Sequence, residues 1–180
     1  MTTSEFEDGY EDAGTRRANE ATEEHRLGVA ILSAQIRALE PREAISVTES
    51  ASIGDAIALM IEQKVGALLV VRQGRAVGIF TERDVLQRVA ISGIDRSRPV
   101  SEVMTPDPEV LSLDDGIAFA LNRMIARGFR HVPIVDKADR PVAVLSVREV
   151  VAYVVAQLPQ RIHNLPPEPR LGIPRTLDGG

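Results

Sequence analysis

Between Ser46 and Tyr153 the hydrophobic pattern is written twice. Ile53, Ala56 and Met60 recur as Ile117, Ala120 and Met124 at an offset of 64, and Leu68, Val70 and Val71 recur as Val132, Ile134 and Val135 at the same offset. Beyond Gly74 the offset becomes 65, so that Thr81 matches Ser146 and Asp84 matches Glu149. One residue inserted in a turn accounts for the step, because loops tolerate insertions.

Each copy predicts the same elements. Ile53, Ile57, Met60 and Ile61 share one helix face, as do Ile117, Leu121, Met124 and Ile125. A short apolar run follows, ALLVV (67–71) or VPIV (132–135), β-branched in the manner of a buried strand. A turn at Arg72–Arg75 or Asp136–Arg140 leads to a second strand, Ala76–Phe80 or Pro141–Leu145, and then to a helix, Glu82–Ile91 or Val147–Leu158. One copy alone could hardly bury its sheet face, so the two are expected to pack about a pseudo-twofold axis.

Outside the repeat the pattern changes. Leu27, Ile31, Ala34 and Ala38 have helical spacing and predict an N-terminal helix over 27–40. Residues 1–26 are polar and acidic, which predicts disorder, and no signal peptide is expected from so acidic a start. Residues 159–180 carry Pro159, Pro166, Pro167, Pro169 and Pro174 and predict an extended tail. The expected organisation is therefore a tail (1–26), a helix (27–40), two units (41–98 and 99–158) and a second tail (159–180).

Composition narrows the function. The net charge of −5 argues against nucleic-acid binding, and aromatic residues, at 3% with no Trp, offer little for base stacking. The absence of cysteine excludes thiol catalysis and Cys-type zinc sites and fits a cytoplasmic protein. No apolar run approaches the roughly 20 residues that span a bilayer, so no membrane association is expected. His25, His131 and His163 lack metal-ligand spacing. No triad or nucleophile context stands out, and no enzymatic activity is expected.

The sharpest motif is Gly78-Ile79-Phe80-Thr81-Glu82-Arg83-Asp84, at a strand end opening a helix. Gly78 allows close approach to the backbone. The Thr81 hydroxyl and the first-turn N–H groups can hold a phosphate. The Asp84 carboxylate can accept from both hydroxyls of a ribose. Thr-x-x-Asp and Ser-x-x-Glu are equally capping-box patterns, and the two readings stand side by side.

GIFTERD (78–84), its partner AVLSVRE (143–149), VGALLVV (65–71), RHVPIVD (130–136) and VSEVMTPDP (100–108) together resemble a tandem pair of cystathionine-β-synthase (CBS) domains, a Bateman module. The resemblance covers roughly residues 40–158. It implies an α+β fold of two βαββα units about a pseudo-twofold, commonly dimerised, binding AMP, ADP or ATP between the units. S-adenosylmethionine, NAD or a cyclic dinucleotide are ligands of some members.

Carried over residue by residue, the resemblance implies two unequal clefts. The first joins Gly78, Thr81 and Asp84 to Arg130, His131 and Arg148 for phosphate, with Val110 and Leu111 flanking adenine. The second joins Ser146 and Glu149 to Ile45, Val47, Gly66 and Ala67, with Arg83 nearby. Ala143, Glu149 and Gly66-Ala67 depart from the pattern, so the first cleft is expected to bind more tightly. The expected function is a nucleotide-binding sensor, a homodimer acting on a separate regulated protein. The alternative is a structural dimerisation adaptor whose clefts have lost ligand.

Overall fold

The computed structural model describes Thr22, Arg26, residues 28–31 and residues 33–157. The rest of both expected tails, with His25 and His163, lies outside the described residues. The first unit comprises β1 (Ser46–Thr48), α1 (Ile53–Gln63), β2 (Ala67–Arg72), β3 (Arg75–Thr81) and α2 (Glu82–Asp84), which runs on as a π-helical stretch, Val85–Ala90. The second comprises β4 (Thr105–Pro106), α3 (Ile117–Arg127), β5 (His131–Val135), β6 (Pro141–Ser146) and α4 (Val147–Gln157). The fold is mixed α+β, and each element expected from the repeat is present.

Local chemistry sets the boundaries. Ser52 caps α1 by accepting from the Asp55 N–H at 3.0 Å. Lys64 ends α1 and Gly128 ends α3 in the left-handed region, at φ 54° and 72°. Gln73 and Gly74 both have positive φ, as the two-residue hairpin between β2 and β3 requires. The β5–β6 turn is one residue longer and is built on Asp136, whose Oδ1 accepts from the Ala138 and Arg140 N–H groups. This is the insertion that changes the repeat offset.

β1 runs parallel to β2, and β2, β3 and β4 are antiparallel in that order. β5 and β6 pair likewise, with Leu111 bridging parallel to Ile134 and Glu43 bridging antiparallel to Ala143. Both hairpins carry a register shift at the same place in the repeat, after Val70 and after Ile134.

The lead-in to each unit crosses to the other. The strand before unit 2, β4, pairs with β3 of unit 1, while residues 42–44 pair with β6 of unit 2. A 3-10 turn over Ile36–Leu39 sets Ile36 in the core of unit 2, and its repeat equivalent, Val100–Glu102, sets Val100 in the core of unit 1. Ile36 and Val100 are both fully buried. Leu68 and Val70 face the unit 1 core, whereas the alternate residues Ala67 and Leu69 join Ile79, Ala44 and Val144 between the units. Burial on both faces explains the unbroken apolar run of β2.

Three expectations are corrected. The helix over 27–40 is interrupted at Gln35, whose backbone is extended, because Ile36 and Arg37 donate to the carbonyls of Asp115 and Leu113 and Ile117 donates to that of Ala34. Thr22 and Arg26, assigned to the acidic tail, have helical backbone. Ile61 and Ile125 do not face the core: they are 72% and 74% exposed.

Gly78 serves packing. A Cβ there would lie 2.2 Å from Met104 Sδ, and the partner of Gly78 in β4 is Pro106. Gly78→Ala is expected to lower the unfolding free energy by about 1–3 kcal/mol, as overpacking does. In a Met104→Ala background urea denaturation should show a smaller loss, whereas equal losses in both backgrounds would refute the contact.

Candidate functional site

A cavity of about 880 Å3 opens between the units, within the size range of small-molecule sites. Unit 1 gives it an apolar wall, including Ile45, Ile57, Met60, Val65, Ala67 and Val85. Unit 2 gives it a polar wall of Arg130, His131, Ser146, Arg148 and Glu149. Arg42, Glu43, Lys64 and Glu82 complete the charged rim. One wall suits a flat apolar ring, and the other suits hydroxyls and an anion.

Both repeat motifs form capping boxes. The Ser146 N–H and hydroxyl each donate to Glu149 Oε2 at 2.7 Å, and the Glu149 N–H donates back to Ser146 Oγ at 3.3 Å. The Thr81 N–H and hydroxyl donate to Asp84 Oδ2 at 2.9 and 2.6 Å, with the Asp84 N–H returning to Thr81 Oγ1 at 3.3 Å. The capping reading thus holds for both motifs.

The second carboxylate oxygen separates them. Asp84 Oδ1 lies 3.4 Å from both the Thr105 hydroxyl and Arg88 Nη1, and the residue is only 6% exposed. At the equivalent places unit 2 has Pro41 and Tyr153. Glu149 Oε1 consequently has one hydrogen-bond partner among the described residues, the Arg42 N–H at 3.5 Å, and Glu149 lines the cavity. A carboxylate oxygen so placed can accept from a ligand hydroxyl.

The structure groups the expected residues differently from the two-cleft scheme. Arg130, His131 and Arg148, expected beside Asp84, line the cavity together with Ser146, Glu149, Ile45, Gly66 and Ala67. Gly78, Thr81, Asp84, Val110, Leu111, Val47 and Arg83 are not among its walls. Gly78 packs on Met104, and Thr81 and Asp84 satisfy each other. Leu111 is a core residue of unit 2 and Val47 packs on the core of unit 1. Val110 is exposed. Arg83 donates to the Gly128 carbonyl at 2.8 Å. The pairing of Asp84 with Arg130 in one cavity is therefore not what this cavity presents; Glu149 is the motif carboxylate that lines it with Arg130. Sequence reasoning missed Arg42, Glu43, Lys64 and Glu82. The signal for the first two was available, since the repeat of Ile36 as Val100 extends the unit upstream into the lead-in.

Two general features bear on chemistry. Among the described residues no group of three or more His, Asp and Glu side chains could hold a metal ion, and no helix is long and apolar enough to cross a membrane. Burial pushes the His131 imidazole below its usual value; the carboxylates of Glu82 and Glu149 act against that shift and the guanidinium groups of Arg148 and Arg130 add to it.

The sequence matches the CBS domain twice, over residues 36–91 and 100–156. This chain belongs to the CBS domain family. Both matches include the crossed lead-ins, so the CBS repeat begins at Ile36 and Val100. A 17.7 kDa protein of Acidianus ambivalens is 35% identical over 105 residues, which are 58% of this chain and 63% of that protein. The chain spans less than two thirds of the length of the curated relatives it matches first, and only 15–16% of several of them. Among solved structures, a putative signal-transduction protein with CBS domains from Burkholderia ambifaria superposes with a TM-score of 0.61 at 30% identity, covering 71% of this chain and 92% of that one. CBSX2, solved in complex with AMP, superposes with a TM-score of 0.56 at 28% identity, covering 64% of this chain and 91% of that one. The CBS pair is thus the architecture of the described core.

Proposed function

We propose that this CBS pair is a regulatory module that binds an adenosine-containing ligand in the cavity beside Glu149, with AMP as the reference ligand. The observation that carries the reading is Glu149, which lines a cavity with one apolar and one polar wall and whose Oε1 accepts, among the described residues, from the Arg42 N–H alone. The apolar wall from unit 1 receives the adenine, Glu149 accepts from the ribose hydroxyls, and Arg130 and Arg148 meet the phosphate through charge-assisted bonds. The AMP complex of CBSX2 supports the ligand class. In this reading the Glu149 cavity outranks the cleft beside Asp84, whose motif does structural work.

The module acts by binding rather than by catalysis, and its target is a separate protein. A ligand that contacts both units favours whichever arrangement of them closes the cavity, and only such differential affinity can transmit a signal. Homodimerisation is part of the same proposal. Apolar side chains are exposed at equivalent places in the two units, Ile61 with Ile125 and Leu86 with Val151, and of these Ile125 and Val151 lie outside the cavity that Ile61 and Leu86 line, as expected of a surface that a second copy covers.

Thermal denaturation with AMP, ADP, ATP, S-adenosylmethionine and NAD tests the reading. A ligand that binds only the folded state raises the melting temperature, by about 2.7 kcal/mol of stabilisation at a hundredfold excess over Kd. No rise with any of them at millimolar concentration would leave the adaptor reading. Sedimentation of a monomer at tens of micromolar would sink the dimer.

A further inference from the structure

The two seams between the units are not alike. At one of them the start of α2 meets the end of α3, and Arg83 Nη1 donates to the Gly128 carbonyl at 2.8 Å. The segment that crosses between the units there is held from both sides. Asp84 Oδ1 lies 3.4 Å from the Thr105 hydroxyl. Arg123 of α3 takes Glu109 in a bidentate pair, Nη2 to Oε2 at 2.8 Å and Nε to Oε1. Unit 1 is thereby joined to unit 2 directly by Arg83, and by way of the crossing segment through Asp84 and Arg123.

The repeat puts the same positions at the other seam, where the cavity opens. Arg83 and Gly128 correspond to Arg148 and Lys64, Glu109 and Arg123 to Ile45 and Leu59, and Asp84 and Thr105 to Glu149 and Pro41. None of the three ties forms a second time. Arg148 and Lys64 line the cavity and have no bond between them. Ile45 and Leu59 carry no charge, and Pro41 has no hydroxyl. In place of these ties, Glu149 Oε1 accepts from the Arg42 N–H at 3.5 Å. Backbone pairing does not offset the difference, because both crossing segments have it: the Asp107 N–H donates to the Val77 carbonyl at 3.2 Å and the Ala44 N–H to that of Val142 at 3.3 Å.

We propose that the pair is a clamp with a single hinge: the seam of Arg83, Asp84 and Glu109 stays shut, and the Glu149 seam opens to admit a ligand and closes over it. What enters rests on the binding reading above; where the hinge lies does not. Exposed polar ties are individually weak, but a bidentate guanidinium–carboxylate pair is the strong kind. Local opening follows the side with fewer bonds. Domain closure of this sort turns on a few residues at element ends, and Arg83 and Gly128 are such residues. Arg83, Glu109 and Arg123 are therefore positioning residues, which set the axis of closure without touching what is enclosed.

The chain has no cysteine, so spin labels go only where cysteines are introduced. Gln63→Cys with Ala152→Cys spans the cavity seam, and its repeat equivalent, Gln87→Cys with Arg127→Cys, spans the tied one; all four positions are exposed. Double electron–electron resonance on the full chain, diluted with unlabelled chain so that only distances within one molecule are read, compares the pairs. Without ligand the 63–152 distribution is expected to be the broader. Millimolar AMP should shorten it by about 2 Å or more, the scale of a hinge closure, and leave the 87–127 distance in place. Arg83→Ala should broaden the 87–127 distribution, and Arg83→Lys, which keeps a donor, should broaden it less. Equal widths for the two pairs in the ligand-free chain, or an AMP-induced shift of equal size at both, would overturn the hinge. A difference in width that persists while AMP moves neither pair would uphold the hinge and count against the binding reading alone.

Discussion

Asp84→Ala is expected to lower the unfolding free energy by about 2–3 kcal/mol, through loss of a helix cap and of buried hydrogen-bond partners. The Thr81 N–H and hydroxyl lose their acceptor, as does the Thr105 hydroxyl, and the Arg88 guanidinium loses its ion-pair partner while keeping the Val103 and Met104 carbonyls. Thr105 belongs to the lead-in of unit 2 while Asp84 ends the motif of unit 1, so the change loosens a contact on which the crossing depends. For a folded core of this size the melting temperature should fall by roughly 10 °C. Asp84→Asn keeps one acceptor oxygen and should lose less. A thermal melt of the three proteins decides the matter. An Asp84→Ala protein as stable as the wild type, but unable to bind AMP, would return the ligand to the first motif.

Glu149→Gln is the complementary case. Gln at the third helical position still completes a capping box with Ser146, so stability should change by no more than about 1 kcal/mol, the net contribution of one hydrogen bond. The ribose, by contrast, loses its charged acceptor. Hydrogen bonds to a charged group contribute about 1.5–3 kcal/mol, so AMP affinity should drop roughly tenfold to a hundredfold. Calorimetry on wild type and variant measures it. Unchanged affinity would remove Glu149 from the site and with it the preference for this cavity.

The two expectations separate motifs that look alike in sequence. GIFTERD is the better match to the family pattern and AVLSVRE the poorer, which favoured the first cleft. In the proposed reading the deciding residues lie elsewhere. Thr105 and Arg88 close off the second oxygen of Asp84, while Pro41 and Tyr153 at the equivalent places leave that of Glu149 available. Such a difference arises from side chains brought together by the crossing of lead-ins, and a motif read in isolation carries no trace of it.

The elements themselves were legible because each rests on local chemistry. The helical spacing of Ile53, Ala56 and Met60, the β-branched runs and the Gln73-Gly74 turn act within a few residues of one another. The change of offset from 64 to 65 even located the longer Asp136–Arg140 turn. The interruption at Gln35 was not legible. The apolar spacing of residues 27–38 suits one helix, but backbone bonds to Leu113 and Asp115, nearly eighty residues away, outcompete it. Likewise Ile61 and Ile125 have the spacing of core positions and instead face outward at the same place in both units. Periodicity cannot distinguish a face buried within a unit from one left for a ligand or a second copy; Ile61 is also a wall of the cavity.

The claim on which the rest depends is that ligand lodges against Glu149 rather than Asp84. A crystal structure of the protein grown with AMP tests it directly. The ribose hydroxyls should lie within hydrogen-bonding distance of Glu149 Oε1, the adenine against Ile45 and Ala67, and the phosphate toward Arg130 and His131. Nucleotide held by Thr81 and Asp84, with the Glu149 cavity filled only by water, would contradict the account.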